Sequence, residues 1–273
     1  MEGEILRKLQ MTEREMLIEV DRICRKYNIR YSLDGGTLLG AIRHNGFIPW
    51  DDDADVVMLR AEYDRFYEAC KKELDIERFF LQEYRTDKNY RWGYSKMRRN
   101  GTVFLREGQE HVKCNQGVFI DIFVYDSVPD NRILRYIHLF FCYCIRKALY
   151  AEVGMKNAKY GIVRLWYRIL YKIPRDSWFR ILESVAEKTN RKSHELVRHM
   201  TYPYRKGCRY GLPRECFDEY TEKEFEGYKF KIFKNYDLYL TKLYGDYMTP
   251  PPKDMRKTHP VSKIKLIHIN TSI

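Results

Sequence analysis

The segment Trp50-Asp51-Asp52-Asp53-Ala54-Asp55-Val56 carries four carboxylates within five positions and runs directly into apolar Val57 and Met58. In extended chain, alternate side chains share a face, so Asp51, Asp53 and Asp55 converge while Asp52 points away. Three carboxylates crowded together repel one another and take up protons unless a cation neutralises them. An oxygen-only ligand set suits Mg2+ or Mn2+, which use few carboxylates and leave positions open for substrate phosphates. A solvated acidic loop or a calcium site would use the same residue types; fusion to a core-bound strand favours the first reading.

Two further features fit chemistry on a phosphate. Upstream lies Leu33-Asp34-Gly35-Gly36-Thr37, a Gly pair between a short strand and a helix. Such a turn lets backbone N–H groups approach a phosphate, with the helix N-terminus adding favourable partial charge. Downstream, Asp121 sits alone in Phe119-Ile120-Asp121-Ile122-Phe123. Burying it unpaired would cost several kcal/mol. It is read either as a carboxylate paired with a core Arg, Lys or Tyr, or as a second carboxylate beside the metal or a general base. The sites expected from these residues are Asp51, Asp53, Asp55 and Asp121 at the metal, with Asp53, Asp55 and Asp121 catalytic.

The elements that must position them follow from periodicity. Thr12-Glu13-Arg14-Glu15 reads as a capping box opening a helix through Tyr27. Arg30 to Leu33 is a short strand, Leu38 to His44 a helix, Asp51 to Leu59 a strand and Ala61 to Lys72 a helix. Tyr94 to Arg98 and Thr102 to Arg106 flank Asn100-Gly101, a hairpin signal. Gly117 to Tyr125 is the strongest strand. Asn131 to Arg191 is helical, basic and aromatic, broken at Pro174; Tyr228 to Phe233 is a strand and Tyr236 to Tyr244 a last helix. With no internal repeat or low-complexity linker, the expectation is one α/β (α+β) domain over 1–273, with a helical insertion at about 127–214.

Composition bounds the rest. The 273 residues are 44% hydrophobic and 32% charged, which describes a globular rather than a disordered chain. A net charge of +12 favours anionic partners such as nucleotides, phosphorylated glycans, nucleic acid or a membrane face. Seven scattered cysteines without CxxC pairs point to a reducing compartment. We see neither a signal peptide at Met1 to Arg7 nor an apolar run near the ~20 residues of a membrane span, so a cytoplasmic location is expected, peripheral to the inner membrane face at most.

The order Gly-Gly, alternating Asp, then a lone Asp on a later strand resembles the nucleotidyltransferase fold, with a mixed sheet and flanking helices. Leu33 to His44 (LDGGTLLGAIRH) followed by Gly46 to Asp55 (GFIPWDDDAD) resembles the signature of the LicD family. That family includes bacterial phosphocholine transferases and is related to fukutin-type ribitol-phosphate transferases. Gly117 to Phe123 resembles its second motif, and Tyr244 to Met248 with Pro251, Pro252, Arg256 and His259 its C-terminal one. Val124-Tyr125-Asp126 departs from the Pro-Leu-Asp of the family and alters a pocket wall. The resemblance implies transfer of a phosphorylated alcohol, such as phosphocholine, from a CDP-linked donor such as CDP-choline to a hydroxyl of a cell-surface glycan or its lipid-linked precursor, releasing CMP. Gly35, Gly36 and Thr37 would hold the donor diphosphate with Lys96; Arg43, His44, Arg98 and Arg256 are lesser candidates for substrate binding.

A true nucleotidyltransferase, which attaches the nucleotide and releases pyrophosphate, would use the same carboxylates. A nucleic-acid partner is not expected, because no helix-turn-helix, zinc-finger or RNA-recognition pattern is present. Arg164, Arg168 and Lys172 form a basic stripe beside Leu165, Trp166, Ile169 and Ile173, as in helices that lie weakly on anionic membranes, although core helices with basic outer faces would also show it.

Overall fold

In the computed structural model, which describes residues 3–204 and 206–267, the strand that reads strongest in the sequence is the middle of the main sheet. This is β6 (Phe119–Val128), buried at every position but Phe123. A strand apolar on both faces must be covered on both. It pairs in parallel with β2 (Asp55–Leu59), which pairs antiparallel with β1 (Ser32–Leu33). On its other edge the first half of β6 pairs antiparallel with β4 (Ser95–Arg99), which in turn holds β3 (Phe79–Gln82). The second half of the same edge takes β7 (Leu196–His199) and then β8 (Leu212–Pro213), completing a seven-stranded mixed sheet.

Helices cover this sheet. The long α1 (Gly3–Lys26) packs against β4, β6 and α3 (Arg60–Glu73), and α2 (Gly35–His44) packs against β1 and β2. Residues 132–190 form α4 (Arg132–Leu149), α5 (Ala151–Asn157), α6 (Gly161–Lys172) and α7 (Arg175–Asn190), after which the chain re-enters the sheet as β7. Pro174 lies directly before α7, where its fixed backbone costs no helical hydrogen bond. A buried polar knot ties the layers. Asp126 accepts from Arg60 Nε and Nη2 at 2.9 and 2.7 Å and from Asn190 Nδ2 at 2.7 Å, joining β6, α3 and α7.

Three expectations are corrected. The first helix begins at Gly3, not at the capping box: Leu6 and Leu9 extend its apolar stripe upstream, and the Thr12 hydroxyl donates to Lys8 O within the helix. Asp51 to Ala54 is an irregular segment, and β2 starts at Asp55. Finally, β4 and β5 (Val103–Arg106) form no hairpin. Both edges of β4 are taken by β3 and β6, so β5 diverges after the Asn100-Gly101 turn and pairs with β11 (Val261–Lys265). The hairpin β9 (Tyr220–Phe225) and β10 (Tyr228–Phe233), together with α8 (Tyr236–Tyr244), closes over α2.

α2 is fastened at its far end by Asn45 in the left-handed conformation and by the 45–48 turn, which lies against Gly40. A Cβ on Gly40 would collide with the Gly46 carbonyl and stand 3.3 Å from Ile48 N, both backbone atoms that cannot swing away. Gly40→Ala gains about 1 kcal/mol of helix propensity but incurs about 1–3 kcal/mol of overpacking. We expect a net loss of stability in urea unfolding; a more stable variant would show that this turn does not pack as described.

Candidate active site

The acidic segment is held from both sides by backbone. Asp34 N donates to Asp55 O at 3.0 Å, Asp55 N donates to Thr37 Oγ1 at 2.8 Å, and Asp121 N donates to Ala54 O at 2.9 Å. From α1, Gln10 Nε2 donates to Asp51 O at 3.0 Å. Asp52 is turned away and buried, accepting from His259 N at 2.9 Å with His259 Nδ1 3.0 Å from its other oxygen. Asp51 and Asp55 instead face the start of α2. A Cβ on Gly36 would lie 2.6 Å from Asp51 Oδ2, and one on Gly35 would lie 3.5 Å from Asp55 Oδ2. Gly35 also has φ +48°, a conformation most side chains resist. Gly35 is favoured by its backbone conformation, and a side chain on Gly36 would displace the Asp51 carboxylate.

Strand register supplies the second component. Asp55 on β2 is opposite Asp121 on β6, and Asp121 is opposite Lys96 on β4. Directly paired residues share a sheet face, so the three form one row. Lys96 and Asp121 are buried and make an ion pair, and Lys96 Nζ lies 3.4 Å from the centre of the Phe119 ring. Burial pulls the Lys96 ammonium down to about 7 against the opposing effect of Asp121, with Arg98 and Arg106 adding to the fall.

The carboxylates sit at the opposite extreme. Burial, reinforced by the neighbouring acids, pushes Asp51 up to about 8 and holds Asp55 well above the usual range. Burial also raises Asp53, although His259 Nδ1 and Arg106 Nη2, 3.8 and 3.9 Å from Asp53 Oδ2, oppose it. Glu13 joins them from α1. It is buried, its Oε2 has no hydrogen-bond partner, and burial together with Asp53, Asp51, Asp52 and Asp121 raises it well above its normal value. Such a set fits a small hard cation in donor type and charge. Among the described residues no three Asp, Glu, His or Cys side chains are gathered into a cage for one. A magnesium-like ion takes one or two protein carboxylates and completes its shell with substrate phosphates and water.

The other expected residues are more dispersed. Thr37 is buried and occupied as the acceptor for Asp55 N, and Arg43 and His44 end α2, roughly 12 Å along the helix from Gly35. Arg43 Nη1 donates to Tyr247 O, and Arg256 stacks 4.3 Å over Trp50, the residue before Asp51. Asp34 caps α2, accepting from Gly35 N at 2.7 Å and from the Tyr239 hydroxyl, and burial lifts it to about 6. Glu13, which the sequence places in a capping box and not at the site, carries a second signal: it is a charged residue on the apolar stripe of Leu6, Leu9, Met16, Leu17 and Val20. Tyr125, from the Val-Tyr-Asp departure, lines a cavity of about 160 Å³ together with Gly35, Gly36 and Asp55.

Carboxylates whose pKa is raised by folding keep protons that the unfolded chain has lost. Their stabilisation is complete below about pH 4 and is lost as pH rises through the folded value, about 8 for Asp51. In chelator, the melting temperature should therefore fall between about pH 6 and about pH 8. Asp51→Asn should flatten that fall, by roughly 2–4 °C per kcal/mol relieved, and magnesium should restore the wild-type value. Identical slopes for the two proteins in calorimetry would remove Asp51 from the titrating set.

Comparison with known proteins identifies the family. The model of the family described as LicD/FKTN/FKRP, nucleotidyltransferase domain, matches residues 28–135, which run from the approach to β1 into α4 and so include Gly35, the acidic segment, Lys96 and Asp121. The lipopolysaccharide cholinephosphotransferase LicD of Haemophilus influenzae is 32% identical over 281 residues, covering 96% of this chain and 98% of that protein. An uncharacterized protein of Rickettsia prowazekii is 34% identical over 82 residues, 23% of this chain and 31% of its own. One from Rickettsia typhi is 40% identical over 48 residues, covering 18% and 16%. With similarity to a LicD protein running nearly end to end, this chain belongs to the LicD family of phosphotransferases.

Proposed function

We propose that this protein transfers phosphocholine from CDP-choline to a hydroxyl of a lipopolysaccharide-type glycan or its lipid-linked precursor, releasing CMP. The observation that carries the reading is the nearly full-length similarity to a lipopolysaccharide cholinephosphotransferase. The diphosphate lies at the start of α2, where the N–H groups of Gly36 and Thr37 are in the first turn and have no acceptor within the helix. Asp51, Asp53 and Asp55, with Asp121 beside them, would hold Mg2+ or Mn2+. When bound, the ion neutralises charge on the diphosphate oxygens and makes the phosphorus more electrophilic.

The acceptor hydroxyl attacks the phosphorus farther from the nucleoside. Its O–P bond forms as the bond from that phosphorus to the CMP oxygen breaks, and CMP carries away the electron pair. Asp121, or a carboxylate of the acidic segment, takes the hydroxyl proton. Lys96 holds the Asp121 carboxylate in place through their buried ion pair.

Asp53→Asn or Asp55→Asn should lower turnover at least about 100-fold while leaving the fold intact, which circular dichroism would check. Near-normal turnover in either variant would remove that residue from the machinery. With CDP-choline as donor, mass spectrometry should show the acceptor gaining phosphocholine. An acceptor carrying a whole nucleotide, with pyrophosphate released from a nucleoside triphosphate, would instead identify a nucleotidyltransferase.

The acceptor class also suggests weak, peripheral contact with an anionic membrane surface. On α6 only Tyr167 is buried, while Ile162, Leu165, Trp166, Ile169 and Ile173 form one solvent-facing apolar stripe, with Ile162 80% exposed. Arg164, Arg168 and Lys172 are exposed beside it, and Ile133, Ile137 and Phe140 of α4 are exposed as well. No described helix is long and apolar enough to cross a membrane. A short amphipathic helix with a basic flank lies in the interface instead. Sedimentation with phosphatidylglycerol vesicles should show binding at low salt that weakens as salt rises and is reduced by Leu165→Asp. Absence of binding at low salt would refute it.

A further inference from the structure

The cavity beside the start of α2 has a chemistry unlike the rest of this basic protein. It measures about 160 Å³, close to the ~150 Å³ of cavities known to accept a benzene-sized guest. Phe123, Tyr125, Tyr202, Tyr204 and Tyr244 wall it, and Asp34 and Asp55 border it. None of its described lining residues is Lys or Arg. Asp34 has no ion-pair partner among the described residues; it is bound only by neutral donors, Gly35 N and the Tyr239 hydroxyl. The rings are set edge against face. Phe123 and Tyr202 are 5.8 Å apart at 68°, Tyr202 and Tyr204 5.7 Å at 74°, and Tyr125 and Tyr204 6.5 Å at 86°. His199, 5.1 Å from Phe123, adds no positive charge: its Nδ1 accepts from Thr201 N, and burial takes it down to about 3.

We propose that this aromatic box takes the trimethylammonium group of the donor and is the element that selects choline over smaller or uncharged alcohols. The inference rests on the phosphocholine reading above. Crossed rings make the walls of a box for a compact, weakly hydrated cation, whose charge is attracted to ring faces and to the carboxylates. A nucleobase sandwiched between two rings needs parallel walls, and these ring pairs are crossed. The box also opens beside Gly35, Gly36 and Asp55. Choline's two-carbon link therefore suffices to join a phosphate there to an ammonium in the box.

The test is calorimetric titration of the full chain with phosphocholine, phosphoethanolamine and CMP, using wild type, Tyr202→Phe and Tyr202→Leu. Tyr202 is 50% exposed, so neither change should unfold the protein, and thermal unfolding verifies this. Phosphocholine should bind wild type and Tyr202→Phe more tightly than phosphoethanolamine does. Tyr202→Leu should weaken phosphocholine about tenfold and leave CMP unchanged. Equal phosphocholine binding by wild type and Tyr202→Leu overturns the assignment. So does a Tyr202→Leu defect confined to CMP, which would mark a nucleobase site, or no phosphocholine binding by wild type. Turnover of CDP-choline is scored separately. Choline-selective binding without turnover would sink the reaction while leaving the box, and turnover unaffected by Tyr202→Leu would do the reverse.

Discussion

Asp121 lies between Asp55 and Lys96 because β6 is parallel to β2 on one edge and antiparallel to β4 on the other. Every other feature of the site is arranged around that register. A slip of one residue in either pairing would send Asp55 or Lys96 to the opposite face of the sheet and leave Asp121 buried without its neighbours. The buried apolar side chains of β6, rather than the site residues themselves, hold the strand between its neighbours. The core thus supplies the energy that holds like charges close together.

Charge in the site is deliberately unbalanced. Glu13, Asp51, Asp53 and Asp55 are all displaced upward by burial, while Lys96, Arg106 and His259 provide only partial compensation. In a chain with a net charge of +12, the basic residues to neutralise these acids exist but lie elsewhere. Glu15, for example, is matched by Arg78 and Arg99, and Asp126 by Arg60. Structural acids here have their own cations, whereas the carboxylates facing the Gly pair share too few. That difference is what favours the proposed external cation over a self-contained ion-pair network at this site.

The helical segment between β6 and β7 shows the complementary imbalance in apolar surface. α7 packs on β6 and on α4, so part of the segment is ordinary core. Yet α6 buries a single residue and turns its apolar stripe outward. A contiguous exposed stripe of that kind is the surface on which the proposed membrane contact rests.

Local chemistry in the sequence determined a great deal. The Gly pair at a strand–helix junction, the acidic segment before an apolar strand, the buried Asp121 and the bounds of α8 are all legible, because each depends on neighbours in the chain. The partner of β5 was not legible. A turn at Asn100-Gly101 does form, but only the tertiary arrangement shows that β4 has both edges filled and that β5 must pair with residues 261–265. Nor does an apolar stripe disclose whether it faces a core or solvent, which is why α6 reads in the sequence both as a membrane-surface helix and as a core helix. Glu13 stands between these cases. Its place on a buried stripe can be read in the sequence, but its proximity to Asp53, forty residues later, exists only once α1 lies against the sheet beneath the acidic segment. Sequence carries what is decided within a few residues; register, burial and charge crowding are set by segments far apart in the chain, and only packing brings those together.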